Sequence, residues 1–179
     1  YYGFNELYFK YHPGINVPRD LQANTSPNGL HVIHYPLDLY NMEGCCAARK
    51  GSAYAIRKGV GKKIVHDLNN SVLIDGKSHE EISKIFKSVE VFYSYDPYTA
   101  YSTFAALCGC DSVVVPDDDV SIEKWYPERN FRLGIAYGVD GVLVARDERS
   151  ALLCRVEKEL ASNSKNVERF LGEVNAYFQ

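Results

Sequence analysis

Hydrophobic and polar positions along the chain fall into short alternating or continuous apolar runs separated by helical patterns. The clearest stretch is Glu90–Pro116, EVFYSYDPYTAYSTFAALCGCDSVVVP. Val91, Phe92, Tyr93 and Tyr95 are β-branched or aromatic, which suits a pleated and buried strand. Asp96 and Pro97 predict a helix start, with the acid as cap and the proline at the first helical position. The helix is expected to run to Cys108, with Gly109 as the left-handed residue that ends it. Ser112–Val115 is a continuous apolar run, the pattern of a parallel strand covered on both faces. Strand, helix and strand in immediate succession make a βαβ unit.

Around this unit the pattern repeats. Leu30–Tyr35 and the small-residue run Gly44–Arg49 read as strands, and Ser52–Lys58 as one or two helical turns. Ile64–Leu68 fits a short helix or strand, and Ser71–Ile74 a strand. Ser78 with Glu81 three residues later forms a capping box before a helix carrying Ile82, Ile85 and Phe86. A short helix is expected over Ser121–Trp125 and a strand or loop over Phe131–Tyr137, followed by the apolar run Val142–Val144. From Asp147 onward, apolar residues recur at three- and four-residue steps, in two helices divided near Asn163. YYGFNELYFKYH at the start fits a strand or a short helix. Alternating elements of this kind predict an α/β fold: a Rossmann-like three-layer domain with a mostly parallel sheet and a helical C-terminal tail. The expected division is an N-terminal segment, 1–38, and a Rossmann-like domain, 39–179. The chain starts with Tyr1 and reads as an excised piece of a longer protein.

Composition narrows the reading. The 179 residues carry a net charge of −3, so no chain-wide basic footprint for nucleic acid is present. No run of apolar residues is long enough to span a bilayer, and no signal-peptide pattern is seen. The five cysteines, Cys45, Cys46, Cys108, Cys110 and Cys154, lack metal-site spacing and read as thiols of a reducing, cytoplasmic compartment.

Ligands of parallel α/β sheets bind at the carboxyl ends of the strands, which directs attention to the turn Tyr93–Thr99. Expected there are an anion-binding helix N-terminus at Asp96–Thr99 and the hydroxyls of Ser94, Tyr98, Thr99 and Ser102. Arg49 and Lys50, at the end of the Gly44–Arg49 strand, are expected to neutralise two phosphates, and Asp75-Gly76 to meet a base or ribose. Arg57, Lys58, Lys62 and Lys63 are assigned to the surface.

The run FYSYDPYTAYSTFAALCGCDSVVVP, followed by EKWYP and FRLGIAYG, resembles the nucleotide-sugar-binding half of GT-B glycosyltransferases, closest to bacterial polysaccharide and O-antigen enzymes. CAARKG resembles the strand that opens that half. The resemblance covers about Gly44 to Gly138. It implies a nucleotide-diphosphate sugar as donor substrate, a carbohydrate acceptor held by a second half outside this chain, and a catalytic base there. It implies transfer of the sugar to a hydroxyl in polysaccharide biosynthesis, with no cofactor or metal. Together with the strand-end reading above, the expected donor site comprises Arg49, Lys50, Asp75, Gly76, Ser94, Tyr95, Asp96, Tyr98, Thr99 and Ser102. The family's early turn acid corresponds to Asp96, and Phe104 stands where its second acid would be. Peripheral membrane attachment of the full enzyme stays open. Two rival readings also stay open. One is a GT-A glycosyltransferase holding a divalent metal on Asp117 and Asp119 of the acidic turn. The other is a non-catalytic doubly wound binding module.

Overall fold

The computed structural model describes residues 5–11 and 15–179. The chain forms two compact units, one of residues 36–155 and the other of residues 1–35 with 156–179.

The larger unit holds a five-stranded, all-parallel sheet. Its strands are β1 (Ser52–Ala55), β2 (Ser71–Leu73), β3 (Val91–Ser94), β4 (Asp111–Val114) and β5 (Ile135–Tyr137), in the order β2-β1-β3-β4-β5. The architecture is a Rossmann-like α/β fold. β3 lies between β1 and β4, with Tyr93 level with Tyr54 and Val113. β4 is buried along its whole length, as its continuous apolar run demands. One face of the sheet, through Phe92, packs edge-on against Phe86 of α1 (His79–Ser88) at 4.9 Å. The capping box forms as expected: Ser78 Oγ accepts from Glu81 N–H while the Glu81 carboxylate accepts from Ser78 N–H. The opposite face is covered by α4 (Val142–Asp147), where Ala145 meets Val113 and Ala136. The Val142–Val144 run is thus helical.

Several expectations are corrected. Gly44–Arg49 is not a strand; β1 starts at Ser52, inside the segment read as helical turns. Small residues at 44–48 supply little surface to bury, whereas Ala53 and Ala55 alternate with Tyr54 and are fully buried. Helix α2 spans Tyr101–Leu107, so it starts four residues after Pro97. The Asp96 carboxylate accepts from Tyr98 N–H at 3.1 Å, closing a tight turn that keeps the chain out of the helix. Gly109 takes φ 77°, as its position predicts. The run Ile64–Leu68 is neither helix nor strand. The whole connection from β1 to β2 contains only short 3-10 turns, at Arg57–Gly59 and Leu68–Asn70, where a parallel crossover ordinarily carries an α-helix.

In the smaller unit the Leu30–Tyr35 strand does not form. Its backbone is satisfied by helix side chains instead: Asn163 Nδ2 donates to Ile33 O at 2.7 Å, and Asn166 Nδ2 to His31 O at 2.8 Å. Asn163 therefore does not break the C-terminal helix, which is continuous as α5 (Arg149–Tyr177). Phe9 packs edge-on against Phe170 at 4.9 Å. Of the expected YYGFNELYFKYH element, residues 1–4 and 12 lie outside the described residues; the described part makes one isolated bridge, Tyr8 with Thr25. No helix among the described residues is long and apolar enough to cross a membrane.

Candidate functional site

The strand order sets the site. From β1 the chain moves to β2 on one side, and from β2 it passes back over β1 to β3. The segments leaving β1 and β3 therefore diverge to opposite faces, and the carboxyl ends of these neighbouring strands mark the switch point where α/β sheets bind ligands.

The segment leaving β1 begins with Ile56-Arg57-Lys58-Gly59. Arg57 has φ 43°, a left-handed backbone that a side-chain-bearing residue adopts only when its surroundings enforce it. Asp75, just beyond β2, does the enforcing: its Oδ2 accepts from Ile56 N–H and from Arg57 N–H, both at 3.0 Å. Its Oδ1 is buried without a partner. Gly59 lies directly on the β3 exit: a Cβ there would sit 2.2 Å from Tyr95 O. Further along, Lys62 Nζ donates to Val115 O at 3.0 Å and pairs with the Asp117 carboxylate at 2.7 Å. The β1 exit segment thus runs across the ends of β3 and β4.

The segment leaving β3 turns at Asp96, which is buried. Ser94 Oγ donates to Asp96 O at 2.6 Å. Trp125 of α3 (Ile122–Trp125) fixes the far side of the turn by donating Nε1–H to Pro97 O at 2.8 Å. The Arg57 Nε stands 3.8 Å from Asp96 Oδ2, and its guanidinium lies over the Tyr101 ring at 5.3 Å. The Arg57 side chain is 46% exposed and that of Asp96 5%. A half-exposed cation held over a buried acid and an aromatic face can offer its exposed side to an incoming anion.

Beside it, Tyr95 is fully buried. Its hydroxyl accepts from Val65 N–H at 2.9 Å and lies 2.8 Å from His66 Nδ1. The imidazole is thus tied to the phenol through Nδ1, while its Nε2 is buried without a partner. The His66 ring stacks on Tyr93 at 4.9 Å and 9° and meets the neighbouring Tyr54 at a tilt, at 4.7 Å and 49°. Burial lowers the imidazole below its ordinary value, against the opposing charge of Asp67. The cluster stands where a crossover helix would cover β1 and β3.

Asp75, Gly76, Ser94, Tyr95, Asp96, Tyr98 and Thr99 do gather at the carboxyl edge. Their hydroxyls are partly committed: Ser94 to the turn, Tyr95 to His66, and Thr99 Oγ1 as acceptor from Tyr101 N–H at 3.3 Å. Tyr98 is exposed and meets Tyr126 edge-on at 5.6 Å. Gly76, at φ 80°, faces open space. Ser102 is buried with its Oγ unpartnered. Phe104 is buried and stacks on Tyr40 at 4.3 Å, so the place of the family's second acid is a core position. A helix as short as α2 brings no useful macrodipole, and it starts beyond the Asp96 turn, so the expected helix-terminus anion site does not form.

Arg49 and Lys50 are not brought to this edge. They precede β1 and so lie at the amino end of the sheet. The Arg49 guanidinium donates to Phe86 O and Val89 O, at 2.7 and 3.1 Å, and to Cys108 O. The cation that does lie at this edge, and that the sequence pattern assigns to the surface, is Arg57. Its signal was in the sequence: Arg-Lys-Gly occurs at 49–51 and again at 57–59, and only the second follows the alternating apolar segment. In the acidic turn, Asp117 is held by Lys62 and Asp119 has φ 61°. No group of three potential metal ligands is found among the described residues.

Comparison with protein-family models, with curated proteins and with solved structures finds no match for this chain.

Proposed function

We propose that the sheet unit binds the diphosphate of a nucleotide sugar at the carboxyl edge between β1 and β3, as the donor-binding part of a glycosyltransferase acting in polysaccharide biosynthesis. The observation that carries this reading is Arg57, held in a strained backbone by Asp75 at the switch point and poised over Asp96 and Tyr101. The resemblance of Glu90–Pro116 to GT-B donor domains supports the same edge.

In the transfer, the bond from the anomeric carbon to the donor phosphate oxygen breaks and its electron pair leaves with the nucleotide diphosphate. The acceptor hydroxyl oxygen forms the new bond and loses its proton to a base outside this chain. Negative charge grows on the departing diphosphate, and a cation fixed nearby lowers the barrier. Arg57, with Lys58 adjacent, fills that role. Tyr98 and Thr99 line the turn beside it, and Gly76 leaves the β2 end open for the base or ribose.

Calorimetry with UDP, GDP, TDP and their sugars tests the reading. At least one is expected to bind, and Arg57→Met to weaken it by about tenfold, the loss of one charge-assisted contact. Lys50→Met is expected to leave binding unchanged. Absence of binding by the whole panel at millimolar concentration overturns the proposal.

A further inference from the structure

We infer that the amino edge of the sheet carries a separate anion site, for a small phosphorylated solute, built by Arg49, Arg146 and Arg149. The three arginines line one open pocket of about 500 Å³ together with Glu90, Gly109 and Asp111. Arg146 and Arg149 both pair with the buried Asp111: Arg146 Nε and Arg149 Nη2 donate to Oδ1 at 2.8 and 2.6 Å, and Arg146 Nη2 donates to Oδ2 at 2.5 Å. Two guanidiniums therefore share one carboxylate, and one positive charge is left over. Arg149 Nε is buried without a partner.

Arg49 adds a third cation whose hydrogen-bond partners are neutral carbonyls at the ends of α1 and α2. Those bonds fix its plane, so it is presented without further ordering. Gly109 lies close by: a Cβ there would collide with Met42 Sδ at 2.4 Å and stand 3.2 Å from Arg49 Nη2. Among the described residues, Glu90 is the second carboxylate lining the pocket. Three guanidiniums against two carboxylates leave a net positive, open recess. Arginine forks match phosphate oxygens in pairs. The pocket exceeds a bare phosphate in size, which fits a phosphate carried on a small molecule.

Inorganic phosphate and pyrophosphate are the probes, read as ligand-induced thermal shifts and amide chemical-shift changes at constant ionic strength, since screening weakens such sites. Both ions are expected to bind the intact chain. Arg146→Met is expected to weaken them about tenfold. Glu90→Gln, which removes a repelling charge and touches no backbone contact, is expected to tighten them several-fold. Arg57→Met is expected to leave this site's chemical-shift changes, at Gly109 and Asp111, in place. The inference is overturned if no ion perturbs those amides. It is equally overturned if Glu90→Gln fails to tighten binding, or if Arg57→Met abolishes it. Should Arg146→Met fold poorly, the Glu90 variant alone decides. A pure structural brace would give a less stable Arg146 variant with no phosphate response in either protein.

Discussion

The two ends of the sheet use charge in opposite ways. At the amino edge, cations are tied down: Arg146 and Arg149 grip buried Asp111, and Arg49 clamps the ends of two helices. At the carboxyl edge, the acid is tied down and the cation is loose. Asp96 is buried in its turn, Asp75 is spent on backbone N–H groups, and Arg57 stands half exposed at a long 3.8 Å. The first arrangement holds elements together while three guanidiniums against two carboxylates keep a net positive charge at the pocket; the second holds a backbone in a costly shape with a half-exposed cation above a buried acid. Buried pairing of this kind is mainly costly to break, whereas a poised charge is cheap to move.

That contrast can be broken by substitution. The largest effect is expected at Gly59, where any side chain collides with the Tyr95 carbonyl. Gly59→Val is expected to cost about 3 kcal/mol or more by urea unfolding, since backbone must shift rather than a side chain. A cost below 1 kcal/mol would mean that the β1 exit segment is not pressed onto β3.

Next comes Asp111→Asn, which leaves two guanidiniums facing each other across a neutral amide. The expected loss is about 2–3 kcal/mol, discounted because Arg146 is half exposed. Burial alone would raise the Asp111 carboxyl; the Arg146 hydrogen bond and charge, with Arg149, outweigh it and hold it below the usual range. A folded-state value below the unfolded one means that the unfolded chain binds the proton more readily. The stabilisation is therefore complete above the ordinary carboxylate range near 3.9 and lost as pH falls through the lower folded value. The variant should lose that acid-dependent component, which unfolding at a series of pH values would reveal.

The smallest effect is expected at His66. Its lowered value means that the unfolded chain takes up a proton that the folded chain resists. Stability should therefore rise with pH between the folded value and about 6.5, and be flat above it. His66→Gln should flatten that window without affecting the Asp111 component. A slope that survives in the variant would assign the titration to another group.

The parts legible in the sequence were those governed by local rules. The Ser78–Glu81 capping box, Gly109 and the apolar run of β4 each follow from a few neighbouring residues. So did the parallel Rossmann-like arrangement, since strand-helix alternation admits few other sheets. The misplaced cation had a different cause. Two Arg-Lys-Gly triplets stand eight positions apart, and choosing between them requires knowing which follows a strand. β1 alternates for only four residues between glycine-bearing turns, too short for its period to stand out. The helix expected at Asp96 failed because the side chain that suits a cap also suits a tight turn. Asn163 looked like a helix break, yet its amide serves Ile33 from within an unbroken helix. The Asp111 fork was invisible because its arginines come from elements more than thirty residues away in sequence.

The strand order has one more consequence, in chain entropy. Placing β1 beside β3 joins residues about twice as far apart along the chain as the pairing of β1 with β2 or of β3 with β4. Loop-closure cost grows only with the logarithm of length, so that doubling adds about 0.6 kcal/mol. A strictly sequential sheet would have saved no more than that, and would have had no reversal of strand order at β1 and β3.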